Sequence, residues 1–494
     1  MKKVIKGSII LVLILLISGC TKEEWMNPAP VTSLSDLTVF DTKDRIVAQV
    51  NGMYASLKNG WHLGGRFQAY NDLRCDNFLP NSSNLVTLYA TWNHTAISST
   101  NEVQNFWNNT YQTINVVNVF MEGLKGAWDA GKLTSIVTQA EYNQYMSEAL
   151  TIRAICYFDL AQMYCKPYHM GNGANRGLPL RLTANKSAAG NDLAPSTVAE
   201  VYTQILQDLG DAEGLAVANH GSTALNITRI HKNTIIAFKT RVLMHMQNWP
   251  AVVTESAKIV PAAAPFTASS GVPHTLSASY AGIFASPHAT LESILSMPHT
   301  SDNNAGTQNH LAHYFGKGSG ESYYLVTGPG SVYDAMDDTD ARKVMIETVV
   351  VEGVSYRYLT KYKDQSTRAD YAPVMRWAEV LLNRAEALVR SGNTVTQAAV
   401  DLLNEVRVRS FATGAYTLAD FANADAFYTA ILQERNMEFL GEGMRNMDLM
   451  RLGLTIPGKV SAGFGTVAAV PSTASSYFWP VPDSELSYNG LMTP

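Results

Sequence analysis

The chain has 494 residues with 37 basic and 42 acidic side chains, a formal net charge of -5, and 46% apolar residues. That length is enough for a large core or two lobes, and the apolar share is ordinary for a globular protein. The slightly acidic balance offers no basic footprint, which argues against a nucleic-acid partner.

Lys2 and Lys3 open the chain, an apolar run from Ile9 to Ile17 follows, and Ser18, Gly19 and Cys20 close it. A basic start, a short apolar stretch and small residues before a cut make a signal peptide. The run is roughly ten residues, short of the about 20 that span a bilayer. Ile17-Ser18-Gly19-Cys20 resembles a bacterial lipobox, which implies that Cys20 is lipidated and becomes the mature N-terminus. Thr21-Lys22-Glu23-Glu24 resembles the Lys-acidic-acidic tag that sends Bacteroidetes lipoproteins to the outer face of the outer membrane. No second long apolar run appears, so the body is expected to be soluble and held by acyl chains, of which two or more give stable anchoring.

After a polar, Pro-bearing tether, Ile46, Val47, Val50, Met53, Tyr54 and Leu57 recur at helical spacing and predict a first helix. The stretch from Lys58 to Ser99, dense in Gly, Asn and aromatics, reads as loop. Val103, Trp107, Tyr111, Ile114, Val117, Met121 and Leu124 predict a second helix, and residues 140–164 a third, ended with help from Pro167. Ser196 is placed as the cap of a fourth helix running from Val198 to about Ala218. Residues 231–260 read as a helix pair broken at Asn248-Trp249-Pro250. Residues 261–370 lack sustained periodicity and read as long loops, with a small hairpin around Glu352-Gly353. Such long irregular segments usually carry function. Helices return over 374–391, 396–409, 424–440 and 444–451, the first two forming one tetratricopeptide-like unit with Ala378, Ala385, Ala387 and Ala398 for close contact. The expected fold is therefore mainly α: helical pairs as scaffold, a large loop-rich insertion and few short strands.

Cys75, Cys156 and Cys165 remain beside Cys20. Cys156 and Cys165 would lie about 13 Å apart along one helix, beyond the about 7 Å that a disulfide spans. A bridge from Cys75 to either, or three buried thiols, both stay open.

The C-terminal third resembles the SusD/RagB family of Bacteroidetes nutrient-binding lipoproteins. The residues that carry the resemblance are Arg376-Trp377-Ala378-Glu379-Val380-Leu381-Leu382 with Ala385-Glu386-Ala387, then Leu403-Asn404-Glu405-Val406-Arg407-Val408-Arg409. Glu434-Arg435, Glu438-Phe439, Glu442-Gly443, Arg445, Asp448-Leu449 and Arg451-Leu452-Gly453 follow, and Pro480-Val481-Pro482 ends the set. Looser matches, Arg74 with Asp76-Asn77 and Arg153-Ala154 with Tyr157-Phe158, extend it over nearly the whole mature chain. The resemblance divides the chain into a leader (1–19), a lipidated tether (20–40), an N-terminal helical region with binding loops (41–260), the irregular region (261–370) and a C-terminal helical region (371–494). It implies a non-catalytic surface protein, without cofactor or metal, that captures a glycan. The cargo then passes to a SusC-like TonB-dependent transporter.

Sugars present apolar C–H faces to aromatic rings and hydroxyls to Asn, Asp, Arg and His. Trp61, His62 and Arg66, then Arg74, Asp76 and Asn77, then Trp92, Asn93 and His94 bring that chemistry into one irregular stretch. The middle loops add Tyr314 and Tyr323, together with Phe315 and Tyr324. Two other readings stand beside glycan binding. One is a RagB-like peptide carrier. The other is a surface glycosidase drawing two carboxylates from Glu434, Glu438 and Glu442; against it, Glu and Arg at helical spacing also make structural ion pairs. Histidines 288, 299, 310 and 313 and the acidic turn at Asp337, Asp338 and Asp340 lack metal-ligand spacing.

Overall fold

The computed structural model describes residues 38–187 and 190–493. The leader, the lipobox cysteine and the sorting tag lie outside the described residues. Among the described residues, no helix is long and apolar enough to cross a membrane.

The protein is mostly helical, and the long helices fall where the periodicity placed them. They are Lys43–Leu57, Asn101–Asp129, Gln139–Tyr164, Val198–Leu215, Lys232–His245, Trp377–Gly392, Gln397–Ser410 and Ala424–Glu438. The Gln139 helix begins on a capping box in which Thr138 and Glu141 satisfy each other's backbone donors. A second capping box starts the Val198 helix on Thr197 and Glu200, so the cap is Thr197 and not Ser196. Asn248 caps the helix Trp249–Ser256, with Pro250 in its first turn, where a missing N–H costs nothing. Asn393, in the left-handed region at φ 49°, ends the Trp377 helix. Across the following turn it is Ala399 that is buried, while Ala398 faces solvent.

One apolar core runs through the molecule, gathering side chains from Ile46 to Met492. Its axis is the Gln139 helix, in which every residue from Thr151 to Tyr164 is buried. Polar groups there need internal partners. Arg153 meets Asp208 through two nitrogens at 2.7 and 2.8 Å, and the Gln162 amide donates to the Tyr202 hydroxyl at 3.0 Å. Cys75, Cys156 and Cys165 are free and buried, which excludes the Cys75 bridge.

Two short sheets close long loops in space. Phe78–Pro80 pairs antiparallel with Tyr323–Leu325, Leu79 opposite Tyr324. Ser293–Met297 pairs with Ala372–Arg376 just before the Trp377 helix, so residues 372–376 are strand where helix was expected to begin by 374. The hairpin Ile346–Val351 and Val354–Leu359 turns through Glu352 and Gly353, both at positive φ. The stretch 58–99 is less irregular than its composition suggests: it holds the helix Arg66–Leu73 and a helical turn at Tyr89–Trp92. All eight residues of Arg66–Leu73 are buried, so no polar face marks the helical period. Gly60 lets this stretch lie directly on the middle loops, since a Cβ there would meet the Ala305 carbonyl oxygen at 2.4 Å.

Candidate functional site

Several residues expected to face ligand belong to the core instead. His62 is fully buried, with Nε2 2.8 Å from Asp159 Oδ2 on the central helix. Trp92 is fully buried, its indole N–H donating to the Phe78 carbonyl at 2.8 Å. The hydroxyls of buried Tyr314 and Tyr323 donate to the carbonyls of Gln308 and Thr87. Phe315 is buried as well. Asn77 is buried against Asn436, and Asp76 pairs with Arg445 at 3.2 Å. Asn77 and Asp76 fasten the N-terminal stretch to the C-terminal helices, while His62, Trp92, Tyr314 and Tyr323 are bonded to the central helix or within the loops.

Trp61 is half-buried. The Arg66 guanidinium lies 3.8 Å from its ring centroid, and Arg66 Nη2 donates to the Gln308 carbonyl at 3.2 Å. Gln308 Nε2 donates in turn to Glu321 at 3.1 Å, and the Asn84 amide bonds the same carboxylate. Trp61, Gln308, Glu321 and Asn84 thus make one polar seam where the stretch 58–99 meets the middle loops.

Other parts of the middle loops line the largest of the clefts described, about 920 Å³. Its walls come from residues 281–301, 344–345 and 360–371. His288 and Tyr371 line it as a stacked pair, ring centroids 4.7 Å apart and planes within 20°. Both rings are half-buried, and Ser301, Thr300, Lys363 and Thr367 stand exposed around them. A flat plane ringed by hydroxyls and charge can hold an apolar face with hydrogen-bonding groups at its edge. Tyr371 escaped the reading of the sequence because it stands alone between polar residues, and nothing local marks its partner 83 positions earlier. Among the described residues, no group of three or more His, Cys, Asp or Glu side chains is placed to hold a metal ion.

Asn93 and His94 sit elsewhere, on clefts beside the C-terminal segment, and Arg74 joins His94 there.

The charged C-terminal motif forms a buried lattice. Arg376 reaches Glu292 at 2.5 Å, Glu438 at 2.8 Å and Glu442 at 2.7 Å. Arg342 pairs with Asp340 and Glu434, and Arg451 with Glu386 and Asp448. Glu434, Glu438 and Glu442 are all buried and paired, so the carboxylates considered for glycosidase chemistry have no cleft in which to meet a substrate.

Comparison with known proteins assigns the fold. A family described as "SusD family" matches residues 302–493, and one described as "Starch-binding associating with outer membrane" matches residues 24–244. The chain belongs to the SusD/RagB family. Over 90% of both chains it is 23% identical to SusD-like protein P38 of Formosa agariphila. It superposes on a SusD superfamily protein from Bacteroides fragilis with a TM-score of 0.79 and 29% identity, covering 92% of this chain and 100% of that one. Surface glycan-binding protein A from Bacteroides thetaiotaomicron, solved with laminarihexaose, shares the fold at a TM-score of 0.69 and 17% identity, over 92% and 99% of the two chains.

Proposed function

We propose that this protein is a non-catalytic, lipid-anchored glycan-binding protein of the cell surface. It captures an oligosaccharide or polysaccharide and passes it to a TonB-dependent transporter. The observation that carries the reading is the cleft with its half-buried His288–Tyr371 plane and exposed hydroxyl and ammonium rim. Pyranose C–H faces stack on such a plane, and the rim groups hydrogen-bond the equatorial hydroxyls. Trp61, half-buried at the seam, is a second candidate ring. Family membership supports the reading, as does the laminarihexaose held by the Bacteroides thetaiotaomicron relative. Acylation at Cys20 would hold the protein at the outer membrane.

The test is retention on a panel of polysaccharides by affinity gel, with Tyr371→Ala and Trp61→Ala beside the native protein. Retention on one polysaccharide, lost with Tyr371→Ala, is the expected result. No retention on any, with binding of peptides instead, would replace this reading by a RagB-like carrier.

A further inference from the structure

A second set of clefts lies along the C-terminal segment Ser475–Val481, away from the His288–Tyr371 plane. One of about 360 Å³ shares His94 and Ser476 with a neighbour of about 400 Å³, and Ser98, Ser475, Phe478 and Pro480 with another of about 600 Å³. The three linings contain Arg74, His94, Lys166 and Arg176, and no Asp or Glu.

Of the eight buried arginines among the described residues, Arg66 and Arg74 lack a carboxylate partner. Among the described residues, buried Arg153, Arg241, Arg342, Arg376, Arg435 and Arg451 each meet a carboxylate. Arg74 is only 1% exposed and meets none. Its Nη2 donates to the carbonyls of Ser476 and Tyr477 at 3.1 and 2.7 Å, and its Nε–H has no partner. A buried charge left without a counter-charge is strongly unfavourable. Lys459 lies nearby, buried over the Trp92 ring at 5.0 Å, and its Nζ donates to the Leu73 carbonyl without a carboxylate partner. Burial lowers its pKa to about 7.

His94, on the same cleft, leaves Nε2 without a partner. Burial, with the Lys459 and Arg74 charges, keeps the ring neutral. Two residues that line this cleft thus carry a buried polar atom without a partner, the Arg74 Nε–H donor and the His94 Nε2 acceptor. Phe478, Ile97 and Pro480 make the apolar side.

We propose that this cleft binds an acidic saccharide, its oxyanion on the Arg74 Nε–H and a neighbouring hydroxyl donating to His94 Nε2. A uronate carboxylate and a sulfate ester share that chemistry. The inference concerns a different site from the glycan cleft and stands on its own residues.

The experiment is calorimetric titration of the full-length protein in detergent with an oligogalacturonide, a sulfated galactose oligosaccharide and the neutral galactose oligosaccharide. At least one charged sugar should bind ten-fold or more tightly than the neutral one, and which of the two does so names the oxyanion. Arg74→Gln should abolish that preference. Ile97→Asp keeps the test valid if the buried substitution prevents folding, because Ile97 is an exposed rim position. It should weaken the charged sugar five-fold or more, while Ile97→Asn and Tyr371→Ala leave it bound. Equal affinity for charged and neutral sugars, indifference to Ile97→Asp, or no binding of any of the three would overturn the proposal. Retention of a neutral polysaccharide that Tyr371→Ala abolishes would meanwhile leave the glycan cleft standing.

Discussion

The Arg66 guanidinium covers one face of the Trp61 indole at 3.8 Å. The pair ties a fully buried helix to a half-buried ring at the loop seam, and Arg66 has no carboxylate partner among the described residues. Cation–π pairs are worth about 0.5–2 kcal/mol, more when desolvated. A double-mutant cycle with Trp61→Ala and Arg66→Lys should show a coupling of about 1 kcal/mol in chemical denaturation. A coupling near zero would mean that the two groups merely adjoin.

Trp92 serves packing. Trp92→Ala removes a fully buried ring and orphans the Phe78 carbonyl, so stability should fall by about 3–5 kcal/mol. The fraction that stays folded should bind saccharide as the native protein does. A large loss of affinity with unchanged melting would reverse that assignment.

Arg376 is the hub of the charged lattice, facing Glu292, Glu438 and Glu442. Arg376→Met leaves three buried carboxylates short of a cation. The expected loss is about 3–5 kcal/mol, read by urea denaturation. Burial alone would raise the Glu438 pKa, but Arg409, Arg376 and Arg342 hold it down to about 2. A depressed carboxylate contributes stability that is present above its ordinary range and lost as pH falls toward about 2. In Arg376→Met the folded-state pKa lies nearer the ordinary value, so this acid-induced loss should be smaller and complete at higher pH.

Asp72 behaves in the opposite sense. Burial pushes its pKa up to about 7, although Gly443 N–H donates to Oδ2 at 2.8 Å. A raised carboxylate is most favourable while protonated, so its contribution is full below the ordinary aspartate range and is lost as pH rises toward about 7. Asp72→Asn escapes that penalty. Melting temperatures compared across pH 4 to 8 should therefore shift in favour of the variant as pH rises. A constant difference would show that Asp72 is ionised throughout.

The sequence by itself determined the helical scaffold and the family. Period, caps and breakers act within a few residues, so the starts of the helices at Lys43, Asn101, Gln139 and Trp377 were legible to within about three residues, while the Asn101 helix runs five residues past Leu124. The carboxylates of the last third read as ion-paired, and they are, but Glu434, Glu438 and Glu442 find cations far away in the chain, Arg342, Arg376 and Lys361, while helix-face neighbours account for Arg451–Asp448 and Arg390–Glu386. The tertiary structure decided which rings are core and which are surface. Trp61 and Trp92 sit in similar Gly- and Asn-rich company, yet one is half-buried and the other sealed beneath Tyr89 and Lys459. The stacked pair of His288 and Tyr371, and the carboxylate missing from Arg74, likewise depend on segments far apart in the chain. Exposure is set by what packs on top of a residue, and local sequence carries no record of that.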